Sequence, residues 1–135
     1  MNNDINEIVN NFNETLLFLA LNITDVCPNC IIGRNIKDIK NAIKNKDNFT
    51  KFIDLFSVKV LKYKKEIDSG DDDFFMNKSY EDDLSDQHLN SDYLSKVLTI
   101  KSIWNQLNKN NQEIVKQYMQ ILCELSQQYF DMIIN

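Results

Sequence analysis

The chain is 135 residues long, 43% hydrophobic and 26% charged, with a formal net charge of −5. That length suits one domain with a substantial core, and the balance excludes both intrinsic disorder and a membrane-embedded chain. Two glycines and one proline are too few for the turns of a sandwich, a barrel or an α/β fold. The expected class is therefore all-α: a single bundle of about five helices over residues 1–135. Nineteen asparagines beside abundant Ile and Lys reflect AT-rich codons rather than chemistry.

Asp4 and Glu7 stand where a secretory leader would be basic, and the apolar run from Leu16 to Leu21 is too short to cross a bilayer. The expectation is an intracellular protein without membrane association, whose three cysteines are reduced thiols. The glycosylation sequons at Asn13, Asn22, Asn48 and Asn77 then carry no meaning.

The first helix is expected near 4–23, with Ile5, Ile8, Val9, Phe12, Leu16, Leu19 and Ile23 as its stripe. Its half from Leu16 to Leu21 is apolar all round, which predicts burial on more than one side. A loop with Cys27-Pro28-Asn29-Cys30 and Gly33 follows. Asn35 then reads as the N-cap of a short helix near 36–45 through Ile36, Ile39 and Ile43.

A long helix is expected near 49–67, carrying Phe49, Phe52, Ile53, Phe56, Val60, Tyr63 and Ile67, with Gly70 as a left-handed cap. An acidic loop spans 68–90, where Phe74-Phe75-Met76 pins a short helical turn onto the core. The last third predicts a helical hairpin near 92–107 and 111–133. Leu94, Val97, Leu98, Ile103, Trp104 and Leu107 line its first arm. Ile114, Val115, Tyr118, Ile121, Leu122, Leu125 and Tyr129 line its second. Asn108 to Asn111 forms the break, with Glu113 three residues after Asn110 as a capping box.

Cys27 and Cys30 have the spacing of half a zinc site or a redox couple. Zinc would need Cys123 and His88 as well. Cys123 is more simply a small core residue, His88 lies in the acidic loop, and a helix rather than a strand precedes the pair. A plain turn is the expected reading, with no metal and no cofactor. The run from Asp68 to Asp73 has its glycine in the wrong place for a calcium loop. No paired histidines, phosphate loop or nucleophile motif is present, so an enzyme is not expected.

Two surfaces stand out. Lys37, Lys40 and Lys44 share one face of the short helix, within a stretch from Arg34 to Glu66 that holds ten basic and four acidic residues. Such a face suits phosphates of nucleic acid, although the net charge opposes non-specific binding. Tyr129, Phe130, Met132, Ile133 and Ile134 make an apolar C-terminal end that another subunit could complete, whereas Trp104 and Tyr118 belong to the core.

Pro28-Asn29, Ile32-Gly33-Arg34-Asn35, the run from Val60 to Lys64, Gly70-Asp71 with Phe74-Phe75, and Ser102-Ile103-Trp104 through Tyr118 and Leu122 occur in an order that resembles a family of giant-virus proteins. These are small helical proteins encoded by nucleocytoplasmic large DNA viruses of the mimivirus kind, and the resemblance covers about residues 24 to 130. It implies a viral setting, in the virion or in the host-cell cytoplasm and viral factory, and brings no activity with it. The family's loop does not depend on a cysteine at the position of Cys30, which counts further against zinc.

The leading expectation is a non-enzymatic helical protein acting through protein–protein contacts, as a virion or capsid-associated component, an intracellular adaptor or a homodimer. The alternatives are a nucleic-acid-associated factor using residues 34–65, and a host cell-death or signalling mimic, which would need a hydrophobic surface groove.

Overall fold

The computed structural model describes residues 2–77, 93–98, 100 and 103–134. Eight α-helices are assigned among them: α1 (Asn2–Val26), α2 (Ile31–Arg34), α3 (Ile36–Lys44), α4 (Lys51–Lys59), α5 (Lys64–Ser69), α6 (Asp72–Asn77), α7 (Tyr93–Val97) and α8 (Lys109–Ile134). Short 3-10 turns lie at Lys46–Asn48, Leu61–Tyr63 and Trp104–Gln106, and the described residues include no strand. The protein is all-α. Among the described residues, no helix is long and apolar enough to cross a membrane.

The two long helices form the frame, because α1 packs more extensively on α8 than on any other element. They run antiparallel. Gln106, just before α8, meets Cys27, just after α1. At the other end Tyr129 of α8 reaches Asp54 of α4, and Phe12 of α1 packs edge-on against Phe56 of α4 with ring centroids 5.3 Å apart. α2 and α3 fold back onto α1, while α4 and α5 line α8. The core fills from both long helices: Val9, Phe12, Leu16, Leu19, Ala20 and Ile23 on α1, and Val115, Met119, Leu122 and Cys123 on α8.

The expected helix near 49–67 is in fact two helices joined by a 3-10 turn. Phe52, Ile53, Phe56, Val60 and Ile67 are all buried, so the stripe is right and its continuity is not. The break falls after Val58 and Val60, whose branched side chains weaken helix propensity, and Tyr63 N–H bonds to the Val60 carbonyl three residues back. The first arm of the expected hairpin differs in the same way. α7 ends at Val97, and Ile103 N–H then donates to the Ile100 carbonyl ahead of the 3-10 turn. Leu94, Val97, Leu98, Ile103, Trp104 and Leu107 nonetheless all face the core.

Two helix caps differ from expectation. The cap of α8 is Asn108, whose Oδ1 accepts from Asn111 N–H at 2.8 Å, so the helix opens at Lys109 rather than after Asn110. Asn35 precedes α3, but its side chain donates to the Ile31 carbonyl of α2 instead of capping. The stretch from Leu16 to Leu21 buries Leu16, Leu17, Leu19 and Ala20, a wide face that fits the expected burial on more than one side, while Phe18 is 53% and Leu21 37% exposed. Gly70 does close α5 with φ +70. In the acidic segment, α6 holds Phe74 and Phe75 in the core, and residues 78–92, with His88, lie outside the described residues.

Candidate functional site

The last turns of α8 carry one group of exposed apolar side chains, beside Phe18, Leu21 and Val26 on α1, Val58 on α4 and Ile121 further back on α8. Ile133 lies seven residues after Ser126 and eleven after Leu122, both fully buried, and Ile134 lies eleven after Cys123. These spacings keep the helix's dry face in register. Yet Phe130 is 39%, Ile133 51% and Ile134 62% exposed, and Met132 is half-buried. Among the described residues, the buried face of α8 therefore runs past what covers it.

Tyr129 does not belong to that exposed set. It is buried, and its hydroxyl donates to Asp54 Oδ1 at 2.5 Å. Burial, reinforced by that hydrogen bond, pushes its phenol up to about 12. Its role is to fasten the end of α8 to α4, so the expected interface shrinks to Phe130, Met132, Ile133 and Ile134.

At the opposite end of α8 stands a group with no counterpart in the sequence reading. Lys116 has a side chain only 8% exposed, with Nζ 2.6 Å from Asp72 Oδ1 and 3.2 Å from Glu113 Oε2. Nζ also lies 6.0 Å from the centroid of the Trp104 ring, which stacks on Phe75 with centroids 5.0 Å apart. Burial alone would lower the lysine's pKa, but hydrogen bonds to Asp72 and Glu113 raise it above the usual value. Lys116 holds Asp72 below the usual carboxylate range against the opposing effect of burial. A cavity of about 420 Å³ opens beside it between Gly70, Glu113 and Gln120. The only periodic hint was negative: Lys116 falls on the apolar side of α8.

The cysteines separate into a pair and a single residue. Cys27 and Cys30 are half-buried in the turn after α1, whereas Cys123 is fully buried midway along α8. Fourteen residues of helix separate Cys123 from Lys109, roughly 21 Å from the end where Cys27 lies. Burial pushes the Cys123 thiol up to about 12. Cys123 is thus not brought to Cys27 and Cys30, the pair that the zinc alternative would have had it join, and His88, the fourth candidate, lies outside the described residues. Among the described residues, no three His, Cys, Asp or Glu side chains group as a metal would need.

Lys37, Lys40 and Lys44 are exposed along α3, while Ile39 and Ile43 are buried beneath them. Lys44 and Lys46 also edge a groove of about 450 Å³ between α1 and the link from α3 to α4, floored by Leu17, Ile43 and Phe49. Asn13 stands in its wall, donating Nδ2 to the Phe49 carbonyl at 2.9 Å while its buried Oδ1 has no partner.

Comparison with models of protein families, with curated proteins and with solved structures finds no match to this chain. The resemblance to giant-virus proteins gains nothing from them.

Proposed function

We propose that this protein acts through protein–protein contact, without a catalytic step of its own, at the end of the bundle where α8 outruns its cover. The observation that carries this reading is the in-register exposure of Phe130, Ile133 and Ile134. Helical spacing keeps them on the buried face, and water contact there costs about 25 cal/mol for each Å² of apolar surface left open. A second copy, a different protein or further chain beyond residue 135 would each relieve that cost. A virion or host-cell location rests on the giant-virus resemblance alone.

The test is Ile133→Asp with Ile134→Asp in the full chain, since neither side chain holds the fold. The reading expects a lower oligomeric mass by light scattering, or loss of a captured partner, with the helical circular dichroism unchanged. Unchanged mass and unchanged capture would overturn it. A cut after Gln128 is a poorer test, because it also removes the Tyr129–Asp54 anchor.

A nucleic-acid reading keeps one specific support, the shared exposure of Lys37, Lys40 and Lys44 on α3. It expects low-salt binding of duplex DNA or RNA whose affinity falls steeply with added salt and is lost in a triple Lys→Glu variant. An absent mobility shift at low salt would end it.

A further inference from the structure

The turn between α1 and α2 brings two thiols to one place. Cys30 N–H donates to the Cys27 carbonyl at 3.2 Å, closing a four-residue turn with Pro28 at its second position, where a fixed φ favours the bend. Such a turn keeps its first and last Cα within about 7 Å, and disulfide bridges span roughly 4.4–6.8 Å between Cα atoms. The Cys30 thiol is already folded back over the turn, donating to the Cys27 carbonyl at 2.9 Å. Its neighbourhood also acts on Cys27, whose thiol is raised first by burial and then by the Cys30 thiol beside it.

The turn is held from below as well as across. A Cβ on Gly33 would sit 2.3 Å from the Pro28 carbonyl oxygen, so α2 presses directly on the turn backbone and only glycine fits. Arg34 N–H donates to the Cys30 carbonyl at 2.9 Å, and Cys27 N–H to Ile23 at 2.8 Å. Both cysteines keep contact with solvent, in contrast to Cys123.

We propose that Cys27 and Cys30 are a modification site: a dithiol that a small disulfide of the glutathione type converts into an intramolecular disulfide. One cysteine, as its thiolate, attacks a sulfur of the small disulfide and expels a small thiolate, leaving a mixed disulfide on the protein. The second cysteine thiolate attacks the protein sulfur of that mixed disulfide and expels the other small thiolate. The dithiol gives up two electrons and two protons. The small disulfide takes the two electrons, and its two thiolates are protonated from solvent.

The bridge has a structural consequence. Reduced Cys27 donates its thiol hydrogen to Gln106 Oε1 at 3.4 Å, which ties the end of α1 to the 3-10 turn that carries Trp104. Oxidation removes that hydrogen and releases Gln106. Because the thiolate is the attacking species, the raised Cys27 thiol makes the exchange slow at neutral pH and faster as pH rises. The site therefore reports the redox state of its surroundings.

The experiment treats the native full chain with oxidised glutathione across a range of reduced glutathione, quenches with N-ethylmaleimide and maps the peptides by mass. The expected product is a Cys27–Cys30 peptide lacking the mass of two hydrogens, restored by dithiothreitol, while Cys123 is alkylated only after denaturation. Cys30→Ser is expected to stop at a persistent glutathione adduct on Cys27. A persistent adduct in the unaltered chain, a bridge to Cys123, a bridge between two chains, or two thiols still free in excess oxidised glutathione would each overturn the proposal.

Discussion

Lys116 and Asp72 form an ion pair of 2.6 Å in which the lysine side chain is 8% exposed and the aspartate 43%. The asymmetry decides what the pair is worth. Desolvating the ammonium is the larger cost, and Asp72 with Glu113 offsets it. Breaking a fully buried pair from one side costs about 3–5 kcal/mol, and solvent at Asp72 reduces that. Asp72→Asn should destabilise by about 1–2 kcal/mol in urea unfolding, whereas Lys116→Met, which keeps the stem and removes the charge, should stay within about 1 kcal/mol of the parent. If Lys116→Met proved the more damaging of the two, the pair would be a net source of stability and not a compensated burial.

The same pair sets the acid side of the stability profile. Asp72 is depressed in the fold by the Lys116 hydrogen bond, so its contribution is present above the ordinary carboxylate range, about 4. It is lost as pH falls through the lower folded value. Thermal unfolding between pH 5 and 2 should show this loss, and Asp72→Asn should flatten that limb of the curve.

Alkali acts on the second half of α8. Tyr129 and Cys123 are both raised to about 12, and a raised group stabilises below its unfolded pKa and ceases to as pH climbs through its folded one. Stability should therefore decline from about pH 9, where an unfolded thiol ionises, and further from about pH 10 for the phenol. Tyr129→Phe should remove the upper part of that decline, at a cost of about 1–2 kcal/mol at neutral pH for the lost bond to Asp54. Absorbance of the phenolate against pH, paired with circular dichroism, separates the two groups.

The sequence made legible most of which residues go inside, although on α8 the expected stripe is off by part of a turn: Ile121 is 46% exposed and Met119 is buried. The stripe over Phe52, Ile53, Phe56, Val60 and Ile67, and the one over Leu94, Val97, Leu98, Ile103, Trp104 and Leu107, are buried as their spacing required. Burial tolerates a switch from α to 3-10 winding, so apolar spacing did not reveal where the helix breaks, and the β-branched residues at Val58 and Val60 were the only local sign. Tyr129 looked like an interface residue because nothing in its own neighbourhood names Asp54, 75 residues away. Lys116 was invisible for the same reason. A lysine on an apolar stripe usually extends its amine to water, and only the fold brings Asp72 across to meet it.

Gly33 tests how tightly α2 is pressed onto the cysteine turn. Its backbone φ does not lie in the left-handed region, so the constraint is space alone: an added Cβ would meet the Pro28 carbonyl oxygen at 2.3 Å and Cα at 2.7 Å. These are backbone atoms, which cannot swing aside as a side chain could. Gly33→Ala should cost about 1–3 kcal/mol, the range of an overpacked site. Gly70→Ala should cost about 1–2 kcal/mol for a different reason, its left-handed conformation.

Phe75 stacks on the sole tryptophan at 5.0 Å with the ring planes 12° apart. Phe75 is fully buried and Trp104 is 1% exposed, so the stack joins α6 to the turn that precedes α8. The Gln112 side chain fixes that turn by donating to the Trp104 carbonyl at 2.9 Å. Phe75→Ala leaves a cavity against the indole and should cost about 3–5 kcal/mol. It should also shift Trp104 emission to the red, because the ring that shields the indole face is gone. Phe75→Leu keeps most of the volume without the aromatic face, so its cost should be below that of Phe75→Ala by about 2 kcal/mol. An emission maximum unmoved in Phe75→Ala at full folding would mean that the indole is shielded by Lys116 and the core alone, and that the stack does not position α6.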